Sequence, residues 1–424
     1  MNYQFEAGFA RLQDEQDPLN KYRQQFHFPQ VDHKDSIYFT GNSLGLQPKK
    51  AAQMVNEELQ DWAELGVEGH VHSRRPWLKY HEFFTEALAN VVGSKPAEVV
   101  AMNGLTTNLH LLMVSFFRPS ANRTKILCEG KAFPSDQYAL KSQLRYHGLD
   151  ESHLLEVMPD PDTDLLDVDK ILNVIKEQGE EIAMLMMGGV NYYSGQVLPM
   201  QEITKAAQAK GITVGWDLAH GAGNIPLKLH DWGVDFAAWC GYKYLNSGPG
   251  GVSGVFIHQR HHDTKDIPRF EGWWGHDKES RFAMPDEFAP IPTAEAWQLS
   301  NAPVLAMAPL LASLELFEEV GIADLRKKSE KLTGYLEFVI HQVESRSQAG
   351  LKIITPTSTE ERGCQISLIV PEIGKMVFDE MSKNGVIADW REPDVIRVAP
   401  VPLYNSFNDV YQFGKILEEC LKRK

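Results

Sequence analysis

Cysteine is scarce in this chain, with four in 424 residues: Cys128, Cys240, Cys364 and Cys420. No C-x-x-C spacing joins them, so neither a disulfide framework nor a zinc site is expected, and a reducing cytoplasm is the expected compartment. His261-His262-Asp263 reads as a polar surface run, so no metal is expected. An excess of positive charge is lacking too. The net charge is −15, which speaks against a nucleic-acid partner. No apolar run approaches the ~20 residues of a membrane helix, so no membrane partner is expected. Met1-Asn2-Tyr3-Gln4-Phe5-Glu6 has no basic stretch followed by an apolar one, so no secretory signal is expected. There is no P-loop, and Gly248-Pro249-Gly250-Gly251 lacks the strand–glycine–helix context of a dinucleotide site. Repeats and low-complexity segments are absent.

What is present is a β/α alternation from about 97 to 260. Strands are expected at Val99–Met102, Thr124–Cys128, Ile182–Met187, Ile212–Asp217, Phe236–Cys240 and Gly254–Ile257. Helices are expected at Leu109–Phe117, Ser135–His147, Val168–Glu177 and Gln201–Lys210, the last stopped by Gly211. That alternation predicts an α/β fold, doubly wound around a mostly parallel sheet. From residue 305 the pattern changes to a smaller α+β domain: helices Leu305–Glu319 and Ala323–Gln342, strand Gln365–Val370, helix Gly374–Lys383, strands Val386–Asp389 and Val395–Ala399, and a last helix from Ser406. The expected division is an N-terminal segment 1–65 that joins the small domain, a large domain 66–304, and a small domain 305–424.

Chemistry concentrates at two expected strand ends. Lys243 follows the apolar run Phe236-Ala237-Ala238-Trp239-Cys240 and precedes a Gly/Pro turn. An amine desolvated there is a Schiff-base nucleophile, although a lone lysine at a strand end is usually just solvated. Asp217, 26 positions earlier, ends another strand, with His220 three residues on. Alone, Asp217 reads as a helix cap and His220 as a core histidine. Together with Lys243 they match what a pyridinium cofactor needs: a carboxylate against the ring nitrogen and an amine for its aldehyde. Pyridoxal phosphate is therefore expected at the carboxyl ends of the strands, where doubly wound sheets bind ligands.

Further segments fit a pocket for such a ligand. Asn103-Gly104-Leu105-Thr106-Thr107-Asn108 lies between a strand and a helix, as an anion site or an ordinary cap. Phe133 can stack on a flat ring or belong to the core, and Ser135 or Asp136 can cap the next helix. Tyr242 is a phenol beside the lysine, able to reach phosphate or move a proton. Trp273 and Trp274 sit between glycines on an expected loop, where exposed indoles want a ligand or a partner subunit. Arg397 lies on a short apolar strand, as a carboxylate clamp or half of an internal Arg–Asp pair.

These segments resemble the kynureninases, a family of fold type I pyridoxal-phosphate hydrolases. The resemblance runs in order through Thr40-Gly41-Asn42-Ser43, Leu105-Thr106-Thr107-Asn108, Phe133-Pro134-Ser135-Asp136, Trp216-Asp217-Leu218-Ala219-His220, Gly241-Tyr242-Lys243, Gly272-Trp273-Trp274-Gly275-His276, Ser300-Asn301-Ala302-Pro303 and Ile396-Arg397-Val398-Ala399-Pro400. It implies hydrolysis of kynurenine or 3-hydroxykynurenine to alanine and an anthranilate, a step of tryptophan catabolism. By the same resemblance, Lys243 carries the cofactor and acts as base, Asp217 pairs with the ring nitrogen, and His220 lies at the ring hydroxyl. Phe133 stacks on the ring, Leu105, Thr106 and Tyr242 hold phosphate, Tyr242 shuttles a proton, and Asp136 matches by position. Trp273 and Asn301 come from the partner of a homodimer with shared sites. Arg397 clamps the α-carboxylate, while His70 and Asn301 face the substrate's aromatic ring and favour the 3-hydroxylated substrate. Gly188 departs from the pattern, standing where some relatives carry a hydroxyl residue, so no side-chain contact to the cofactor is expected there. Two other readings remain at this level: a cysteine desulfurase with Cys364 as its thiolate, and a non-catalytic scaffold of the same fold.

Overall fold

The computed structural model describes residues 2–263 and 267–422. Among these, the central sheet has seven strands: β1 Val99–Ala101, β2 Lys125–Glu129, β3 Leu154–Val157, β4 Ile182–Gly188, β5 Thr213–Asp217, β6 Phe236–Trp239 and β7 Gly254–Ile257. Their order is β1-β7-β6-β5-β4-β2-β3. β7 runs antiparallel to β6 and β1, and every other pairing in the sheet is parallel. The strands are mostly apolar because both faces are covered, with carboxylates at the carboxyl ends of β2 and β5. Val214, Trp216, Ala237 and Trp239 enter one core cluster, while Phe236 and Ala238 enter the opposite one. That is the two-residue period of a strand feeding two cores. Helices Thr85–Val92, Val168–Gln178, Met200–Ala209 and Val304–Val320 cover the first face, and Leu105–Phe116 and Pro134–Tyr146 the second. Fully burying a side chain such as Trp216 or Trp239 contributes roughly 1.5–3 kcal/mol or more.

The α/β architecture expected from the sequence is the one found, with three differences. β3 was not expected, because Leu154-Leu155-Glu156-Val157 is a short edge strand without a clear period. Helix Thr85–Val92 is likewise absent from the expected elements. The helix expected from Leu109 begins at Leu105. Gly104 takes an extended cap conformation and Asn103 a left-handed one at φ 48°, so the chain turns earlier than the apolar pattern suggests.

A second sheet of four antiparallel strands has the order β8-β9-β11-β10, with β8 Lys352–Ile353, β9 Ile366–Ile369, β10 Asp389–Arg391 and β11 Val395–Val398. The single strand expected over Val386–Asp389 is divided. Val386–Ile387 pairs with Ile37–Tyr38, whereas β10 pairs with β11, because the chain changes partner at Ala388. The N-terminal segment is thus hydrogen-bonded to the C-terminal part. Asp14, on helix Ala7–Gln16, also accepts from the Phe407 and Asn408 N–H groups at 2.7 and 3.0 Å, capping helix Phe407–Leu421. No described helix is long and apolar enough to cross a membrane.

Candidate active site

Four strands of the central sheet end at one place. Glu129 closes β2, Gly188 closes β4, Asp217 closes β5, and Cys240 follows β6. All are carboxyl ends, and a cavity of about 420 Å³ opens there. Its wall includes Leu105, Thr106, Phe133, Asp136, Asp217, His220, Tyr242, Lys243 and Arg397.

The backbone fixes the reactive groups by tight turns. The Ala219 N–H donates to Asp217 Oδ1 at 2.6 Å, turning the chain just past β5 and carrying His220 into the cavity wall. Lys243 lies four residues beyond β6, half-buried, in a turn closed by the Ser247 N–H donating to the Gly241 carbonyl at 3.0 Å. A Cβ on Gly241 would lie 1.9 Å from the Val252 carbonyl oxygen, so only glycine fits that turn. Lys243 Nζ and His220 Nε2 are 2.9 Å apart.

Burial governs the charges. Asp136 and Asp217 are hydrogen-bonded to each other, and desolvation raises both carboxyls; the Asp217 charge pushes Asp136 up further. Two buried carboxyls in contact do not both ionise, so the pair shares a proton held on Asp136. Burial also raises the Glu129 carboxyl to about 7, both of its oxygens accepting from the Gly188 N–H at 3.0 and 3.1 Å. Desolvation, helped by Lys243, pushes His220 well down, so its ring is neutral. The Tyr242 phenol is pushed up by burial and by Cys240, with which it shares a hydrogen bond, and burial lifts the Cys240 thiol to about 11.

This donor set fits pyridoxal phosphate. The Asp136–Asp217 pair is a buried acceptor suited to a pyridinium N–H. His220 Nδ1 is buried without a partner. The Phe133 ring lies 6.0 Å from Lys243 Nζ. Helix Leu105–Phe116 points its first turn at the cavity, beside the Thr106 and Ser135 hydroxyls at 2.7 Å from each other. An N-terminus with free N–H groups and two hydroxyls is a phosphate site.

Arg397 meets both of its expected descriptions. It lines the cavity, and it is also paired with Asp389 while donating to the Tyr192 carbonyl at 2.6 Å. Its Nε is buried without a partner, and burial lowers its pKa.

Three expected site residues stand elsewhere in the same chain. Trp273 lines a separate hollow with Phe288 and donates from Nε1 to the Arg281 carbonyl at 3.1 Å. His70 and Asn301 line a third hollow with Trp62 and Trp77. There His70 Nδ1 lies 2.9 Å from the Val67 carbonyl. Trp274, expected on the surface with Trp273, is buried under the Arg281 guanidinium at 4.7 Å. In the polar run at 261–263, Asp263 is exposed as expected, whereas His262 is buried against the Ile257 carbonyl at 2.9 Å and His261 is partly buried, binding Asp235 at 2.8 Å. Cys364 is buried with its thiol pushed up to about 12, which is contrary to a loop thiolate.

The cavity also holds residues that the sequence did not flag: Glu129, Tyr192 and Arg391. Glu129 had a usable signal, since it ends an apolar strand as Asp217 does. Arg391 had none, because its relation to Arg397 is a matter of strand pairing.

A family model described as the kynureninase C-terminal domain matches residues 325–417. The kynureninase of Christiangramia forsetii is 56% identical over 425 residues, covering 100% of both chains. That of Myxococcus xanthus is 54% identical over 420 residues, covering 98% of each. Among solved structures, an apo cysteine desulfurase from Thermococcus onnurineus superposes with a TM-score of 0.75 at 18% identity, covering 100% of both chains. A cystine C–S lyase, with glycine covalently linked to its pyridoxal-phosphate cofactor, gives 0.74 at 18% identity over 90% of this chain and 96% of its own. The structural likenesses establish the fold type I architecture, and the sequence relatives establish the lineage. The chain belongs to the kynureninase family.

Proposed function

We propose that this chain is a pyridoxal-phosphate-dependent hydrolase that converts kynurenine, and preferentially 3-hydroxykynurenine, to alanine and the corresponding anthranilate. The observation that carries this reading is the meeting of Lys243, Asp217 and Arg397 in one cavity wall of a kynureninase-family chain. Bound there, the cofactor supplies an aldehyde for amines and a protonated ring that withdraws electrons. Lys243, Asp217, His220, Phe133, Asp136, Leu105, Thr106 and Tyr242 would hold it.

The chain's own residues then do the following. Arg397 takes the substrate carboxylate, orienting the Cα–H bond toward Lys243. Lys243 Nζ accepts the proton from Cα, aided by the neutral His220 ring at 2.9 Å. Asp217 keeps the ring nitrogen protonated. Overall, a water oxygen adds to the γ-carbonyl carbon, the Cβ–Cγ bond breaks, and Cβ takes a proton. Tyr242, held protonated by burial, is the donor for Cβ. Water supplies the oxygen and both hydrogens, so atoms balance without an oxidant.

The same reading includes a homodimer in which Trp273, Asn301 and His70 complete the partner's site. Their distance from the cavity of their own chain supports this, as does the 46% exposure of Trp273. It also includes a cytoplasmic location, supported by four buried free cysteines, and a division at 1–65, 66–304 and 305–424, in which the pairing of Ile37–Tyr38 with Val386–Ile387 supports joining the first segment to the small domain, while helix Val304–Val320 packs on the core of the large one. The test is direct. Cofactor-loaded enzyme is incubated with each substrate, and alanine and anthranilate are measured. Absence of both products with both substrates refutes the reading, and the two kcat/KM values decide the hydroxyl preference.

A further inference from the structure

The carboxylate end of the cavity contains more positive charge than one clamp needs. β10 and β11 are antiparallel, with Asp389 opposite Arg397 and Arg391 opposite Val395. Residues two apart on a strand share a face, so Asp389, Arg391 and Arg397 project from one side of the small sheet. Both guanidiniums bind the same atom, Asp389 Oδ2, Arg391 at 3.2 Å and Arg397 more closely. Two cations therefore share one carboxylate, and one positive charge is left over.

That surplus faces the ligand cavity, because Arg391 and Arg397 both line it. Each arginine also has a buried Nε without a partner. The side chains are graded in depth: Arg397 is 1% exposed, Asp389 11% and Arg391 33%. Arg391, a third exposed and donating to the Trp390 carbonyl at 3.3 Å, keeps its charge in reach of an anion that enters the cavity. A planar fork is suited to a carboxylate.

From this geometry we infer that Arg391 is a second substrate-binding arginine, the outer arm of a two-arginine receptor for the α-carboxylate. Asp389 is the shared counterion that holds both forks before substrate arrives. The inference rests on the proposed reaction for the identity of the carboxylate, since kynurenine has only one. Asp389 keeps the two arginines within reach of one anion, so both serve the same group rather than two different ones.

The test compares ligands with and without that group on the cofactor-loaded enzyme. Alanine retains the α-carboxylate; kynuramine is kynurenine without it. Dissociation constants are read by calorimetry for wild type, Arg391→Gln and Arg391→Lys, with Tm and the cofactor absorbance checking that each variant is folded and loaded. Arg391→Gln should weaken alanine by about 10–100-fold, the range for losing a charged hydrogen-bonding partner, and leave kynuramine within about twofold. The KM for kynurenine should rise by a similar factor while kcat changes little. Arg391→Lys, which keeps charge but not the fork, should fall between. Equal weakening of both ligands, or an unchanged alanine affinity, overturns the inference. If Arg391→Gln does not fold, Arg391→Lys decides by the same ratio. Failure of wild type to hydrolyse kynurenine would refute the proposed reaction, yet the alanine-to-kynuramine ratio would still report on Arg391.

Discussion

Lys243 Nζ lies 2.9 Å from His220 Nε2, although the two residues come from turns after different strands. β5 and β6 are parallel neighbours in register, Asp217 beside Ala238, so their following turns emerge side by side. The neutral His220 ring gives the lysine an uncharged acceptor next to the buried Asp136–Asp217 pair.

Replacing Lys243 with Ala should abolish turnover. Borohydride reduction of the cofactor-loaded wild type should fix cofactor mass on the peptide containing residue 243, and the variant should fix none. Cofactor fixed at another lysine of the variant would move the site.

Asp217→Ala should lower turnover by at least ~100-fold and weaken cofactor binding, because an unprotonated pyridine is a poor electron sink. Cofactor affinity measured by dialysis and kcat measured with kynurenine check both effects. Near-normal values would remove the ring-nitrogen role.

Arg397→Lys keeps the charge but loses the planar fork, so KM should rise by about 10–100-fold with the cofactor spectrum intact. An unchanged KM would assign Arg397 to its pair with Asp389 alone.

Co-expression of Lys243→Ala and Trp273→Ala chains should restore part of the activity that each lacks alone. In a heterodimer with shared sites, one site collects both lesions and the other collects none. Verified heterodimers without recovered activity would place Trp273 in its own chain's site.

The Glu129 carboxyl titrates near 7 in the fold, against 4.5 for an unperturbed glutamate. Between these values the folded chain holds a proton that the unfolded chain has lost, so Glu129 makes stability fall as pH rises from about 4.5 to 7. The effect is on the order of 3 kcal/mol if the full shift operates. Cofactor-free wild type should therefore lose more Tm between pH 5 and 7.5 than Glu129→Gln, which has nothing to titrate there. Parallel Tm profiles would exclude Glu129 as the source.

Much of this was legible in the chain itself. An apolar run ending in one carboxylate marked β5 and Asp217, and a second run before a glycine turn marked β6 and Lys243. Those patterns are local: a strand buried on both faces is mostly apolar, and a carboxylate after such a run marks its end. The family segments then named roles for residues far apart in sequence, such as Phe133 and Arg397.

Other features depend on pairing between distant segments. That Asp136 meets Asp217, and that Glu129 joins the same wall, follows from the sheet order β5-β4-β2, which no local pattern specifies. Arg391 becomes a cavity residue only because the chain changes partner at Ala388, starting a new strand whose register sets Asp389 opposite Arg397. His70, Asn301 and Trp273 look like site residues in the sequence, and only the fold separates them from the Lys243 cavity of their own chain. Sequence by itself determined where most of the central strands lie and that Asp217 ends one of them, through the free energy of burying apolar side chains. Tertiary structure alone decided which of those ends share one cavity, and burial there set which carboxyls keep their protons.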